Sequence, residues 1–221
     1  MTGPDAEDRY WYLTLYNENY VMPALPADPA EAERVRSGTV QGMYRFAAAP
    51  TELAESAPGA TLLFSGTAWR AAIEARRLLA EDWGVAAEAW SVTSYKSLRE
   101  EALSAERHNR LHPDAEHRVP LVTASLAGSR GPIVAVTDFM RAVPDQVARW
   151  MPQRFTSLGT DGFGRSDTRE VLRRFFEVDP AHVVVATLEG LAAAGAVPAG
   201  TVTSAIARYG IDAGLADPWS D

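Results

Sequence analysis

Four histidines are the first candidates for chemistry: His108, His112, His117 and His182. His108 and His112 stand four residues apart, the spacing that puts two metal ligands on one helix face. No His-Glu-x-x-His pattern accompanies them, and Pro113 ends the helix near His112. The chain has no cysteine, so thiol nucleophiles, thiolate metal sites and disulfides are excluded. The first three histidines therefore read as solvated, and His182, at a helix start, as structural. No Gly-x-Ser-x-Gly elbow and no paired-carboxylate motif takes their place.

The most distinctive stretch is Gly-Thr-Asp-Gly-Phe-Gly-Arg-Ser-Asp, Gly159 to Asp167. It follows a strand signal and leads into a helix signal. Its three glycines permit positive φ and close backbone approach. Asp167 reads as the N-cap of the next helix, with Glu170 three residues on. Exposed amides at such a place attract anions, so one reading is a phosphate or carboxylate cradle. The other is a tight strand-to-helix turn placed at an interface. The stretch is neither a Walker loop nor a dinucleotide fingerprint, since Gly-Lys-Ser/Thr is missing and the glycine spacing is wrong. Ser65-Gly66-Thr67 offers the same two choices, an anion nest or a simple turn with Thr67 as helix N-cap. Gly128 to Pro132 reads as an exposed turn.

The elements that must position these groups alternate. Strands are expected at 60–64, 86–92, 132–137 and 155–158, and helices at 68–83, 95–111, 138–151, 168–176, 181–194 and 201–209. Residues 119–126 are apolar and suit either state. This order gives an α/β fold, a mostly parallel sheet flanked by helices. Ahead of it, Arg9 to Tyr16 is an aromatic strand with no local partner, followed by Pro23, Pro26 and Pro29. A short helix from Asp28 is expected to end at Gly38. Residues 1–40 thus read as an N-terminal arm and 41–221 as the main domain.

The chain has 221 residues, enough for one domain with an extension. Its formal net charge is −8 at pH 7, which disfavours nucleic acid. The acidic first residues lack an apolar core, so no signal peptide is expected, and no apolar stretch is long enough to span a membrane. Together with the lack of cysteine this gives a cytoplasmic expectation.

Several segments together resemble one family. They are residues 12–20, Met22 to Pro26, Gly38 to Phe46, Tyr95 to His112, Leu158 to Glu170, Phe176 to Asp179 and Val183 to Ala186. In unbroken order they are similar to the C-terminal quarter of the homodimeric-type pyruvate dehydrogenase decarboxylase component. That enzyme belongs to the thiamine diphosphate-dependent, transketolase-like superfamily. The resemblance implies a transketolase C-terminal-domain-like fold for 41–221. The arm then resembles the end of the pyrimidine-binding domain, which explains a strand without a partner. Where the homodimeric enzymes carry His after Asn-Glu-Asn-Tyr, this chain has Val21.

The resemblance also implies what is missing. Its cofactor motif is Gly-Asp-Gly followed downstream by Asn, which holds magnesium and the diphosphate. The nearest triplet here is Thr160-Asp161-Gly162, and the last asparagine is Asn109, upstream of it. No catalytic, cofactor or metal residue is therefore assigned to this chain. The expectation is a C-terminal subunit of a split enzyme that decarboxylates a 2-oxo acid and transfers the acyl group, inactive alone. Thiamine diphosphate and magnesium would be bound by partner subunits carrying the diphosphate- and pyrimidine-binding domains, with self-association and a lipoyl-bearing acyltransferase as further contacts. The expected interface residues are Tyr10, Trp11, Tyr12, Asn17, Glu18, Asn19 and Tyr20 in the arm, and Asp161, Phe163, Arg165 and Asp167 in the glycine-rich turn. The alternative is a free-standing anion-binding or regulatory module of the same fold.

Overall fold

The computed structural model describes Leu13 and residues 19–219. The expected Arg9–Tyr16 strand, and with it Tyr10, Trp11, Tyr12, Asn17 and Glu18, lies outside the described residues.

Helix α1 (Pro29–Gln41) opens with Asp28, whose carboxylate accepts the Glu31 amide at 2.9 Å, and with Pro29 at the first turn. It does not stop at Gly38, as the sequence led one to expect; it runs on and closes at Gly42. Gly38 is there for packing. A Cβ at that position would lie 2.7 Å from the Tyr44 Cβ, so only glycine lets the helix lie against the next strand. That strand, β1 (Met43–Ala47), is one the periodicity had not picked out.

The remaining strands are β2 (Gly59–Phe64), β3 (Ala86–Val92), β4 (Ile133–Val136) and β5 (Phe155–Leu158). They form one sheet of order β1-β3-β2-β4-β5, with β1 antiparallel and the others parallel. Both faces are covered, so β2 and β4 are buried at every position and read as continuous apolar runs. Side chains alternate across the sheet. Leu62, Phe64, Val134 and Val136 face α2 (Trp69–Trp83) and α7 (Pro180–Ala193). Leu63, Ile133 and Ala135 face α3 (Tyr95–Leu111) and α4 (Leu121–Leu126). The 138–151 stretch is not one helix but a short α5 (Ala142–Asp145) and a 3-10 turn (Ala148–Trp150), which bury Val147 and Trp150 on the second face.

Helices α6 (Arg169–Phe175) and α8 (Ala199–Arg208) complete the first face. Arg76 breaks the apolar side of α2 for a reason. Its guanidinium donates to the carbonyls of Ala87 and Ala48, tying α2 to the chain leaving β1 and to β3. Trp83 donates to the Tyr209 hydroxyl, which donates in turn to Asp82, fixing the chain after α8 against α2. The turn before β4 is less exposed than expected: Ser129 is buried and donates to Glu88 at 3.0 Å. Among the described residues no helix is long and apolar enough to cross a membrane.

Asp179 caps α7 by accepting the His182 amide at 2.9 Å, and it also meets the His182 ring at 2.7 Å and Arg174 at 3.3 Å. His182 is structural, as expected. Burial pushes the Asp179 carboxyl up, but the His182 and Arg174 contacts outweigh it and hold the group below the usual aspartate range. The stability this contributes is full above the unfolded aspartate pKa, about 4, and is lost as pH falls through the lower folded value. Asp179→Asn keeps a good cap and removes the charge. It should unfold about 1 kcal/mol more easily than the parent at neutral pH, with the gap closing below about pH 4. Urea titrations at several pH values check this; parallel pH curves would refute it.

Candidate functional site

The connections fix where a site can form. From β2 the chain passes through α2 on one face to β3. From β4 it passes through α5 on the other face to β5. The loops leaving β2 and β4 therefore diverge and open a crevice at the carboxyl ends of two neighbouring strands. Open α/β sheets bind ligands at this kind of switch point.

The crevice floor is stitched by hydroxyls. Ser65 and Thr137, both buried, hydrogen-bond at 2.7 Å. Thr67 donates to Asp138 at 2.9 Å, and Thr160 donates to the Asp138 carbonyl at 2.8 Å. Thr67 is thus a bridge between the two strand ends and not the expected helix cap. The residue at the N-cap of α2 is Ala68, with no capping side chain. His108 and His112 lie elsewhere and stack with ring centres 4.7 Å apart.

The glycine-rich turn forms one wall. Its start is tied down: Thr160 donates to the Phe139 carbonyl at 2.9 Å, and Asp161 accepts from the Arg141 amide at 3.0 Å and pairs with its guanidinium. Arg141 is held from its other side by Trp219, whose ring centre is 4.1 Å from the guanidinium carbon. Gly162 has φ +92°, and a Cβ there would meet the Pro218 carbonyl at 3.0 Å. Gly164 has neither a positive φ nor a close neighbour, so Gly162 is the constrained glycine of the pair. Phe163 is 83% exposed. Arg165 lies over the Phe175 ring at 4.1 Å. The N-cap of α6 is Thr168, accepting the Val171 amide at 3.4 Å, and not Asp167. Asp167 instead accepts the Thr168 amide at 2.7 Å.

These parts enclose a cavity of about 310 Å³. Thr67, Ala68, Thr137, Asp138 and Thr160 line its floor, residues 162–165 one wall, and Leu172, Arg173, Phe176 and Val178 the other. Of the arm, Asn19 is exposed, while Tyr20 reaches this end of the sheet. Its hydroxyl meets Arg169 at 3.4 Å and Arg173 at 3.5 Å, and Arg70 stacks on its ring at 4.8 Å. The structure thus gathers Tyr20, Asp161, Phe163 and Arg165 at one end of the sheet. It brings in Thr67, from the turn that sequence reasoning had offered as an anion nest, and adds Asp138 and Arg173, which had not been assigned to a site. Only the alternation of strands pointed toward these two, because each stands just past a strand or on the helix that follows.

The family profile described as transketolase-like TK C-terminal domain matches residues 42–179, more than half of the chain. The chain belongs to this transketolase C-terminal domain family. Curated relatives extend the likeness beyond the profile. The pyruvate dehydrogenase E1 component of Mycolicibacterium smegmatis is 45% identical over 96% of this chain, which covers 22% of that protein. Its namesake from Escherichia coli is 41% identical over 99% of this chain, covering 23% of that protein. The chain thus spans under a quarter of the length of these relatives. Among solved structures, transketolase from Leishmania mexicana is 20% identical, covers 77% of this chain and 20% of its own, and superposes with a TM-score of 0.44. That likeness is too shallow to add to the family assignment.

Thiamine diphosphate with magnesium is the cofactor the resemblance implies, and the residues of this domain do not fit it. Among the described residues no three histidines, aspartates or glutamates come together to hold a metal ion. Asp161, the acidic residue of the nearest triplet, is engaged by Arg141.

Proposed function

We propose that this transketolase-type C-terminal domain is an assembly and docking component of a thiamine diphosphate-dependent, pyruvate dehydrogenase E1-like enzyme. That enzyme decarboxylates a 2-oxo acid and transfers the acyl group in the cytoplasm. The observation that carries this reading is identity of 41–45% across nearly all of this chain to proteins more than four times its length. The cofactor and its magnesium belong to partner chains with the diphosphate- and pyrimidine-binding domains.

A second observation supports docking. Phe139, Met140 and Phe163 are exposed at the carboxyl ends of the strands. Beside them Met22 to Pro26 borders a groove of about 720 Å³ floored by Phe46, Phe64 and Trp69. Apolar side chains gathered at one end of an acidic chain mark a protein interface. Residues 1–22, with Tyr10, Trp11 and Tyr12, would add a strand to a partner's sheet.

Affinity purification of the full chain from its native source tests the reading. Chains bearing Gly-Asp-Gly and a downstream Asn should co-purify, and deletion of residues 1–22 should abolish their recovery without altering the circular dichroism of the core. A lone monomer, or undiminished recovery after the deletion, would overturn it. The isolated chain should show no micromolar binding of thiamine diphosphate with Mg²⁺ by calorimetry.

A further inference from the structure

We infer that the cavity between the ends of β2 and β4 is a binding site for a small hydroxylated organic anion. The inference does not depend on the assembly proposed above.

The cavity has two chemically different sides. Toward α6 it is cationic. Arg165 and Arg173 line it, and Arg169 and Arg70 converge with Arg173 on Tyr20 beside its mouth. Two of these guanidinium groups, those of Arg165 and Arg173, line the cavity itself. That of Arg173 makes a long contact of 3.5 Å to the Tyr20 hydroxyl. Guanidinium forks match the paired oxygens of phosphate and carboxylate.

Toward the strand ends the lining is Thr67, Asp138 and Thr160, with the amino end of α2 opening there at Ala68. A bare anion placed against Asp138 would be repelled. A ligand hydroxyl would instead donate to that carboxylate while the anionic group sits at the arginines. Leu172, Phe176 and Val178 supply an apolar wall for the carbon skeleton between them. The cavity's 310 Å³ is at the lower end for ligand pockets, which suits a compact metabolite and not a dinucleotide.

The test is a titration of the full-length ¹⁵N-labelled chain, followed by NMR, with four probes. Glycerol 3-phosphate and glycerate carry both an anionic group and hydroxyls. Inorganic phosphate lacks the carbon-borne hydroxyls, and pyruvate lacks a hydroxyl donor. At least one of the first pair should shift the amides of Gly162, Gly164 and Thr160 and bind about tenfold or more tighter than its unhydroxylated counterpart. Which of the two binds tells phosphate from carboxylate. Arg173→Ala should weaken that binding at least about tenfold. Asp138→Leu, close in shape but without an acceptor, should remove the preference for the hydroxylated probe. No saturable shift to millimolar concentration would overturn the inference. So would binding unaffected by Arg173→Ala in a variant with native circular dichroism, or shifts confined to other parts of the chain.

Discussion

Gly131→Val is expected to leave most of the chain unfolded. Gly131 sits in the turn that delivers the chain into β4, with φ +74°, a conformation strained for a β-branched residue. Its missing side chain is also a space requirement. A Cβ there would lie 2.1 Å from the Gly59 carbonyl oxygen, a backbone atom at the start of β2 that cannot swing aside. To make room, β2 and β4 would have to part where the Thr61 amide donates to the Pro132 carbonyl at 3.0 Å. Backbone strain of about 1–3 kcal/mol and overpacking of about 1–3 kcal/mol or more together approach the total stability of an ordinary domain, about 5–15 kcal/mol. Gly128→Ala, three residues earlier, is the control, since its Cβ would meet nothing within 4 Å. The expected outcome is insoluble Gly131→Val and soluble, cooperative unfolding for Gly128→Ala. An unfolding free energy for Gly131→Val within about 1 kcal/mol of the parent, the spread of ordinary substitutions, would refute the account.

Gly159→Val should strike the site and leave the sheet standing. A Cβ on Gly159 would come within 2.6 Å of the Phe139 carbonyl oxygen and 2.8 Å of the Arg141 amide nitrogen. Those two atoms hold the glycine-rich turn to the loop after β4, through Thr160 and Asp161. The substitution drives the two loops apart and takes down the wall carrying Phe163 and Arg165. A cost of about 2 kcal/mol corresponds to a fall in melting temperature of roughly 4–8 °C for a chain of this size. Far-UV circular dichroism should be unchanged, because β4 and β5 pair upstream of Gly159. Recovery of partner chains and binding of the hydroxylated anion should both fall at least about tenfold. A melting temperature and affinities equal to the parent's would show that the turn does not depend on this close approach.

Legibility in the sequence tracked local pattern more than depth of burial: β5 is only half-buried at every position, yet its bounds were read correctly. Strands β3 and β5 and helix α3 were read to the residue, and β2 within one, because their apolar patterns are complete within a short window. Strand β1 escaped. Its pattern mixes Tyr44 and Arg45 among apolar residues, it is an edge strand, and it follows a helix with Gly42 alone between them. The end of α1 was misplaced because glycine is a stop signal by default, whereas Gly38 serves the contact with Tyr44. At α6, Asp167 and Thr168 are both good caps. The choice fell to Thr168 when the chain's path out of the glycine-rich turn brought its hydroxyl, and not the carboxylate, to the Val171 amide.

The sequence by itself determined the α/β class, the family and the unusual character of Gly159 to Asp167. These depend on local periodicity, on glycine content and on segments long enough to be distinctive. Tertiary structure decided the site. Ser65 and Thr137 are 72 residues apart, and they meet only because β4 crosses to the far side of β2 from β3. No local pattern encodes on which side of a parallel strand the next one will pair. That order is set by how helices cover both faces of the sheet. It is the order that opens the crevice and brings Thr67, from one turn, together with Asp138 and Arg173, otherwise unremarkable loop and helix residues, in the lining of one cavity.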